Sequence, residues 1–272
     1  MRIAVFTLEA LAAAEAVSHF IAGNAAQIGF VGLSDPYRPA MGGVLGQTIR
    51  HVRRSGLGFL PYLIANFSVP PMANALGRGP VLPGAMARQL GIPVLKITDV
   101  NSPAMHEALR SHRIDLILSF HFDQIFRAET LAVAPLGGIN IHPSLLPHHR
   151  GPVPTLHALA DGGPFGVTIH RLAAKIDAGG ILAQANLDAP AGLSSIGLAA
   201  TAHLAALAPL AEVLADLAAG RATQHVPALL PYRGFPDRAG LARMRAAGAS
   251  PANLADFRRG FARRSVPGPR GG

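Results

Sequence analysis

The chain contains no cysteine, which excludes disulfides and thiol catalysis and agrees with a cytoplasmic address. No apolar run reaches membrane-spanning length without Pro, Gly or charge, so no transmembrane segment is expected. The N-terminus has a basic residue and apolar neighbours, but Glu9 and Glu15 interrupt what would be a signal core. It reads instead as the first strand of a cytoplasmic protein. Zinc motifs are missing too: His142, His148, His149, His157 and His170 follow neither H-E-x-x-H nor knuckle spacing, so no metal site is expected. Ser144 has no G-x-S-x-G elbow around it, which argues against a Ser-His-Asp hydrolase. The first turn, Thr7-Leu8-Glu9-Ala10, lacks the glycines that let a backbone wrap a phosphate, so there is no dinucleotide fingerprint.

Acidic residues are scarce, 15 against 24 Lys and Arg, for a net charge of +9. A nucleic-acid partner is the obvious reading of that balance. The charge is dispersed, however, between Arg50–Arg54 and Arg258–Arg264, with no basic stripe interleaved with aromatics. An arginine excess in an Ala-rich chain is also a composition bias, so the expectation is salt-sensitive, nonspecific attraction and no specific nucleic acid.

What is present is an alternation of strands and helices. With 272 residues, 50% of them hydrophobic, the chain can bury one large core, or a core plus an appendage. An apolar run over 2–7, an Ala-rich segment over 9–22 ending at Gly23, and an apolar run over 27–33 open a doubly wound α/β domain. Asp35-Pro36-Tyr37-Arg38-Pro39 is a turn-rich loop expected to overhang the cleft. Arg50, His51, Arg53 and Arg54 then precede the apolar stretch Leu57–Val69, interrupted by Pro61. Helical spacing favours one or two core-packed helices here; a membrane-surface element, basic beside apolar, is the second reading. Beyond a loop at 77–84, helices are expected over 83–90 and 103–112 and strands over 92–97 and 114–120, an alternation that supports a parallel sheet. Ser194 and Ser195 suit the N-cap of a long helix running to about Ala219, with Gly220 at C′ and Pro209 expected to kink or divide it. A helix over 237–247 and a basic tail over 257–272, disordered at its end, complete the chain. The expected fold is α/β, a Rossmann-like, mostly parallel sheet with flanking helices. Residues 1–220 form its domain and 221–272 a short C-terminal extension.

The stretch that organises this chain is Gly137–Gly151. Asn140 and His142 stand two residues apart on a short strand, so both point to one side, while Ile139 and Ile141 face a core. Pro143 tends to end the strand and leaves the two polar residues at its exit, where open α/β sheets bind ligands. Asp177 lies in a turn between the apolar segments 166–172 and 180–187. Singly, each residue has a plain structural explanation as a core histidine, a cap or a hairpin turn. Together, an amide, an imidazole and a carboxylate suit acyl transfer to an amine: Asn140 can donate to the oxyanion, His142 can donate to it or shuttle a proton, and Asp177 can orient and charge the imidazole or a bridging water.

These residues resemble the formyltransferases that use 10-formyltetrahydrofolate. The resemblance rests on Asn140-Ile141-His142-Pro143-Ser144-Leu145-Leu146-Pro147, Arg150-Gly151, Gly166-Val167-Thr168-Ile169-His170 and Asp177-Ala178-Gly179, in order and at family-like spacing over residues 114–220. It implies formyl transfer to an amine, with Asn140, His142 and Asp177 catalytic. It further implies a pteridine pocket lined by Gln124, Ile125 and Phe126, largely through backbone groups, with Ala173, Ala174 and Lys175 opposite and Leu131 beneath. Phe122 and Phe126 read equally well as core residues. The family commonly has a glycine just after the fourth strand, and Ser119–Phe122 has none. The phosphate loop of the glycinamide ribonucleotide branch is also missing. Since only about fifty residues follow Gly220, the barrel that accompanies a tRNA acceptor is not expected, and a small-molecule amine is. A formyltetrahydrofolate hydrolase and a catalytically silent folate-binding protein are the alternatives.

Overall fold

Alternation along the strands decides which side of the sheet each residue covers. In the computed structural model, which describes residues 1–35, 42–188 and 192–262, β1 (Ile3–Thr7) and β4 (Leu116–Phe120) are buried along their whole length. Beyond β1 lie β2 (Ile28–Ser34) and β3 (Val94–Ile97); beyond β4 lie β5 (Gly138–His142), β6 (Gly166–Arg171) and β7 (Ile181–Asn186). The order is β3-β2-β1-β4-β5-β6-β7, parallel from β3 to β5 and antiparallel from β5 to β7. The chain therefore winds outward in one direction from β1 and in the other from β4. That leaves a topological switch point between their carboxyl ends, where a crevice forms in such sheets.

Val5, Leu118, Ile139, Ile141 and Ile169 face α1 (Ala14–Gly23), α5 (Pro83–Gln89), α9 (Ser195–Ala205) and α10 (Leu207–Ala218) in one core cluster. Ala4, Phe6, Phe30 and Ile117 face the other way, toward α6 (Pro103–Ser111) and the short α7 (Ala128–Leu131). The long helix expected after Ser194, with Pro209 to kink or divide it, is divided into two helices that meet at a 43° bend. Pro209 has no N–H to give the carbonyl of Ala205, so the ladder breaks one turn earlier than the proline itself. Ser194 caps α9 as expected, its Oγ accepting from Gly197 N at 2.8 Å.

Between β2 and α5 the chain inserts α2 (Gly43–Ser55), a 3-10 turn at Leu57–Phe59, α3 (Leu60–Leu63), one π-helical turn at Ile64–Ser68 and α4 (Val69–Ala75). Phe59, Tyr62 and Leu63 pack with α8 (Pro154–Asp161) and with α11 (Arg238–Ala246) in a second core. A further helix, α12 (Leu254–Phe261), stands where the basic tail was expected to begin. Asn253 and Asp256 cap it reciprocally, a short-range signal readable as a capping box. The end of that tail, and the turn-rich loop beyond Asp35, lie outside the described residues.

Candidate active site

β5 brings the site together because it is the strand where parallel pairing gives way to antiparallel. Its register on β6 sets Asn140 opposite His170 and His142 opposite Thr168, and residues directly opposite share a face of the sheet. The Asn140 side-chain amide donates to His170 Nε2 at 3.1 Å. His170 Nδ1 in turn donates to the carbonyl of Arg171 at 2.8 Å, so the ring is neutral, with Nε2 as its acceptor. Burial holds the His170 pKa down to about 4, against the opposing pull of Asp177. One Asn140 amide hydrogen is thus committed, and the other remains for a ligand. In the sequence His170 ends the Gly166–His170 strand of the resemblance and is a candidate metal ligand, with no role assigned to it beside Asn140. The signal for its contact with Asn140 was the alternation Thr168-x-His170, read together with the β5–β6 register.

Asp177 occupies the β6–β7 turn with φ +49°, a conformation that strains a non-glycine residue by about 1 kcal/mol or more. Its Oδ1 lies 3.7 Å from His142 Nδ1 and 3.6 Å from His170 Nε2. Oδ2 accepts from Gly151 N at 2.8 Å and the backbone carbonyl accepts from Arg150 Nε at 3.0 Å. His142 Nε2 donates to the carbonyl of His149 at 3.2 Å, so its Nδ1, facing the carboxylate, is the basic nitrogen. Residues 149–151 therefore hold both partners of the His142–Asp177 pair.

That loop is held from behind. His149 Nδ1 meets Ser144 Oγ at 3.0 Å and its Nε2 meets Asp161 Oδ2 at 3.2 Å. Burial keeps the His149 pKa low, near 4. Ser144 is itself buried, so this Ser-His-Asp chain has no face from which to attack a substrate. Asp161 also pairs with Arg233 of the C-terminal extension. Arg233 N donates to Arg150 O at 2.8 Å, and Arg150 Nη1 donates to Leu230 O at 2.8 Å. Gly151 (φ +132°) lies so close that a Cβ there would sit 2.0 Å from Arg233 O. Extension residues 230–233 thus form a strap across the loop, a role their sequence did not reveal. Burial, and then Asp177, raise the pKa of Tyr232 in this strap.

At the switch point, His121 itself takes the left-handed conformation (φ +46°) at the end of β4, the place where the family glycine was missed. Asn66, from the π turn, accepts from Leu11 N and Ala12 N through its carbonyl and side-chain oxygens, both at 2.9 Å. The amides that a phosphate would need at the start of α1 are therefore engaged within the protein, in line with the missing glycines. Of the residues expected to line a pteridine pocket, Ile125, Ala174 and Lys175 are exposed and Ala173 is half-buried. Gln124 turns inward, bonding Val100 N and Ser34 Oγ, both at 2.9 Å. The ring of Phe126 packs edge-on against Phe6 at 5.1 Å, so its side chain is core. Leu131 and Leu172 both reach to within 3 Å of where a Cβ on Gly138 would stand, at the root of β5. Among the described residues, no group of three or more His, Cys, Asp or Glu is placed to hold a metal ion.

Comparison with known proteins bears on these residues directly: 81–214 match the formyl transferase family model. Residues 81–214, just under half of the chain, are thus a formyl transferase segment. Methionyl-tRNA formyltransferase of Roseiflexus castenholzii is 39% identical over 140 residues, 51% of this chain and 45% of that protein. The match thus spans less than half the length of that relative. Among solved structures, a sugar N-formyltransferase from Shewanella sp. superposes with a TM-score of 0.54 at 21% identity, over 86% of this chain and 77% of the other. The sugar 3N-formyltransferase WlaRD, solved in the presence of dTDP and 5-N-formyl-THF, gives 0.55 at 16%, over 86% and 70%. At these identities the structures establish the shared α/β fold.

Proposed function

We propose that the chain transfers a formyl group from 10-formyltetrahydrofolate to the amine of a small-molecule acceptor, an amino sugar or an amino acid-like compound. The observation that carries this reading is the convergence of Asn140, His142 and Asp177 at the carboxyl end of β5, inside the segment that matches the family. Asn140 donates its remaining amide hydrogen to the oxygen of the carbonyl under attack, a contact that strengthens as charge develops there. His142 Nδ1 takes the proton lost by the amine while Asp177 stabilises the resulting imidazolium, and the proton then passes to the nitrogen that leaves. The carbon–nitrogen bond to the amine forms, the bond to the folate nitrogen breaks, and tetrahydrofolate departs. His170 does not relay protons near neutrality; it fixes the orientation of the Asn140 amide. Ile125, Ala173, Ala174 and Lys175, with the backbone of Gln124 and Phe126 and with Leu131 beneath, are the folate side of the cleft.

A small acceptor is favoured by how the cations around the site are used. Arg150 is engaged by the carbonyls of Ile176, Asp177 and Leu230, Arg233 by Asp161, and Arg54 by Phe235 O. Arg150 and Arg233 are thus committed within the protein, while Arg54, bonded through Nε, stays exposed. An aminoacyl-tRNA acceptor is the second reading, since the sequence relatives are methionyl-tRNA formyltransferases. The test is a panel of amino sugars, amino acids and charged initiator tRNA with 10-formyltetrahydrofolate, read by mass spectrometry. Formylation of one small amine with matching tetrahydrofolate release supports the proposal. Release without any amine indicates a hydrolase, no release a binding protein, and formylation of the tRNA alone the second reading.

A further inference from the structure

We propose that the inserted helices α2–α4 dock the protein on an anionic lipid surface. Between Asp35 and Asp99 the sequence carries Arg38, Arg50, Arg53, Arg54, Arg78, Arg88 and Lys96 and not one Asp or Glu. Within that all-cationic stretch the insert leaves large aliphatic side chains in solvent. Leu45, Leu57 and Leu76 are 72%, 71% and 67% exposed, and Ile49, Ile64 and Met72 are exposed as well. On α2 the two characters share one face. His51 packs its ring on Phe59 and Phe235, and Ser55 Oγ donates to Pro236 O, which fixes the inner face. At about 100° per residue, Leu45, Ile49 and Arg53 fall on the outer one, with Arg50 beside them. An apolar stripe flanked by arginine is the pattern of a helix lying in the plane of a bilayer interface. The core-packed reading of this region holds on the inner side of the insert, where Phe59, Tyr62 and Leu63 are core, while Leu57 and Ile64 face solvent.

Charge and side-chain type choose among occupants. A second copy of the chain would set arginine against arginine. A nucleic acid would be expected to meet exposed aromatic rings, but Phe59 and Tyr62 are buried and what the insert exposes is aliphatic. A bilayer rich in acidic headgroups satisfies both the positive charge and the aliphatic face. α12 closes on α4 where Gly260 meets Val69, adding Arg258 and Arg259. On its inner side the insert sends Asn66 into the crevice between β1 and β4, so docking would bring the crevice close to the lipid surface.

Sedimentation of the full chain with phosphatidylcholine vesicles, with and without phosphatidylglycerol, tests the proposal. Binding is expected only with phosphatidylglycerol, and it should fall as salt is raised. Arg50→Gln with Arg53→Gln should weaken it roughly 25-fold, at about fivefold for each arginine lost. Leu45→Ser with Ile49→Ser and Leu57→Ser should abolish it while the thermal midpoint stays near wild type. Absence of binding by the wild-type chain, or equal binding to neutral vesicles, overturns the proposal. So does a dimer in light scattering that the leucine and isoleucine variants disperse, or tRNA binding that these same variants remove.

Discussion

Acidification from near neutrality to about pH 5 is expected to remove a large part of the protein's stability, because two buried histidines are neutral in the fold. His203 is fully buried; its Nδ1 donates to Ala12 O at 2.9 Å and its Nε2 has no hydrogen-bond partner among the described residues. Burial holds its pKa near 4, and burial does the same for His170. In the unfolded chain both titrate near the ordinary value of about 6.5. Below that value the unfolded state binds protons that the folded state refuses, so stability is complete above it and is lost as the pH falls toward about 4. At a pH near 5 the loss is about 2 kcal/mol for each histidine. The pair together then removes about 4 kcal/mol, a substantial share of the roughly 5–15 kcal/mol of a typical domain. Urea unfolding at several pH values measures this. His203→Leu should flatten the dependence by about a quarter, whatever its stability at neutral pH, because burial also holds the pKa of His121 near 3 and that of His149 near 4. An unchanged slope in that variant would refute the idea that His203 is held neutral by its surroundings.

Further expectations follow from the same contacts. Asp177→Asn keeps the turn and the size but removes the charge beside His142; turnover should fall strongly while folate affinity changes little, and an equal loss of both would make Asp177 a pocket residue. Arg233→Ala removes the strap's hold on Asp161 and so loosens the His149 carbonyl that orients His142. We expect kcat to fall about tenfold, on the order of 1.4 kcal/mol, with the KM for folate unchanged; a wild-type kcat would free the strap of any role. Initiator tRNA in filter binding should show weak attraction that fades as salt rises, and tight binding accompanied by formylation would overturn the small-acceptor reading.

Much of this was legible in the chain because it is local. Strand runs, the Pro143 stop and the Asn140/His142 alternation are short-range patterns, and the β6–β7 turn that carries Asp177 follows from its glycines. What the sequence concealed depends on contacts between distant segments. His170 joined the site through the β5–β6 register. Arg233 and Leu230 reach it from some eighty residues away. For Phe126 the sequence left a pocket backbone and a core ring both open, and only the fold places the ring in the Phe6 cluster, since a residue just after a strand can turn either way. Asn66 filling the start of α1 had no local signal at all, because its partners lie 54 residues earlier.

The central claim is that Asn140 and His142 carry formyl transfer to an amine, and a single-turnover experiment with an isotopically labelled formyl group on 10-formyltetrahydrofolate addresses it most directly. With the acceptor found in the amine screen, the label should appear on the acceptor nitrogen at the rate tetrahydrofolate is released. Asn140→Ala and His142→Ala should each remain folded and slow that transfer on the order of a hundredfold or more. Transfer at the wild-type rate in both variants, or label recovered only as free formate, would contradict the account.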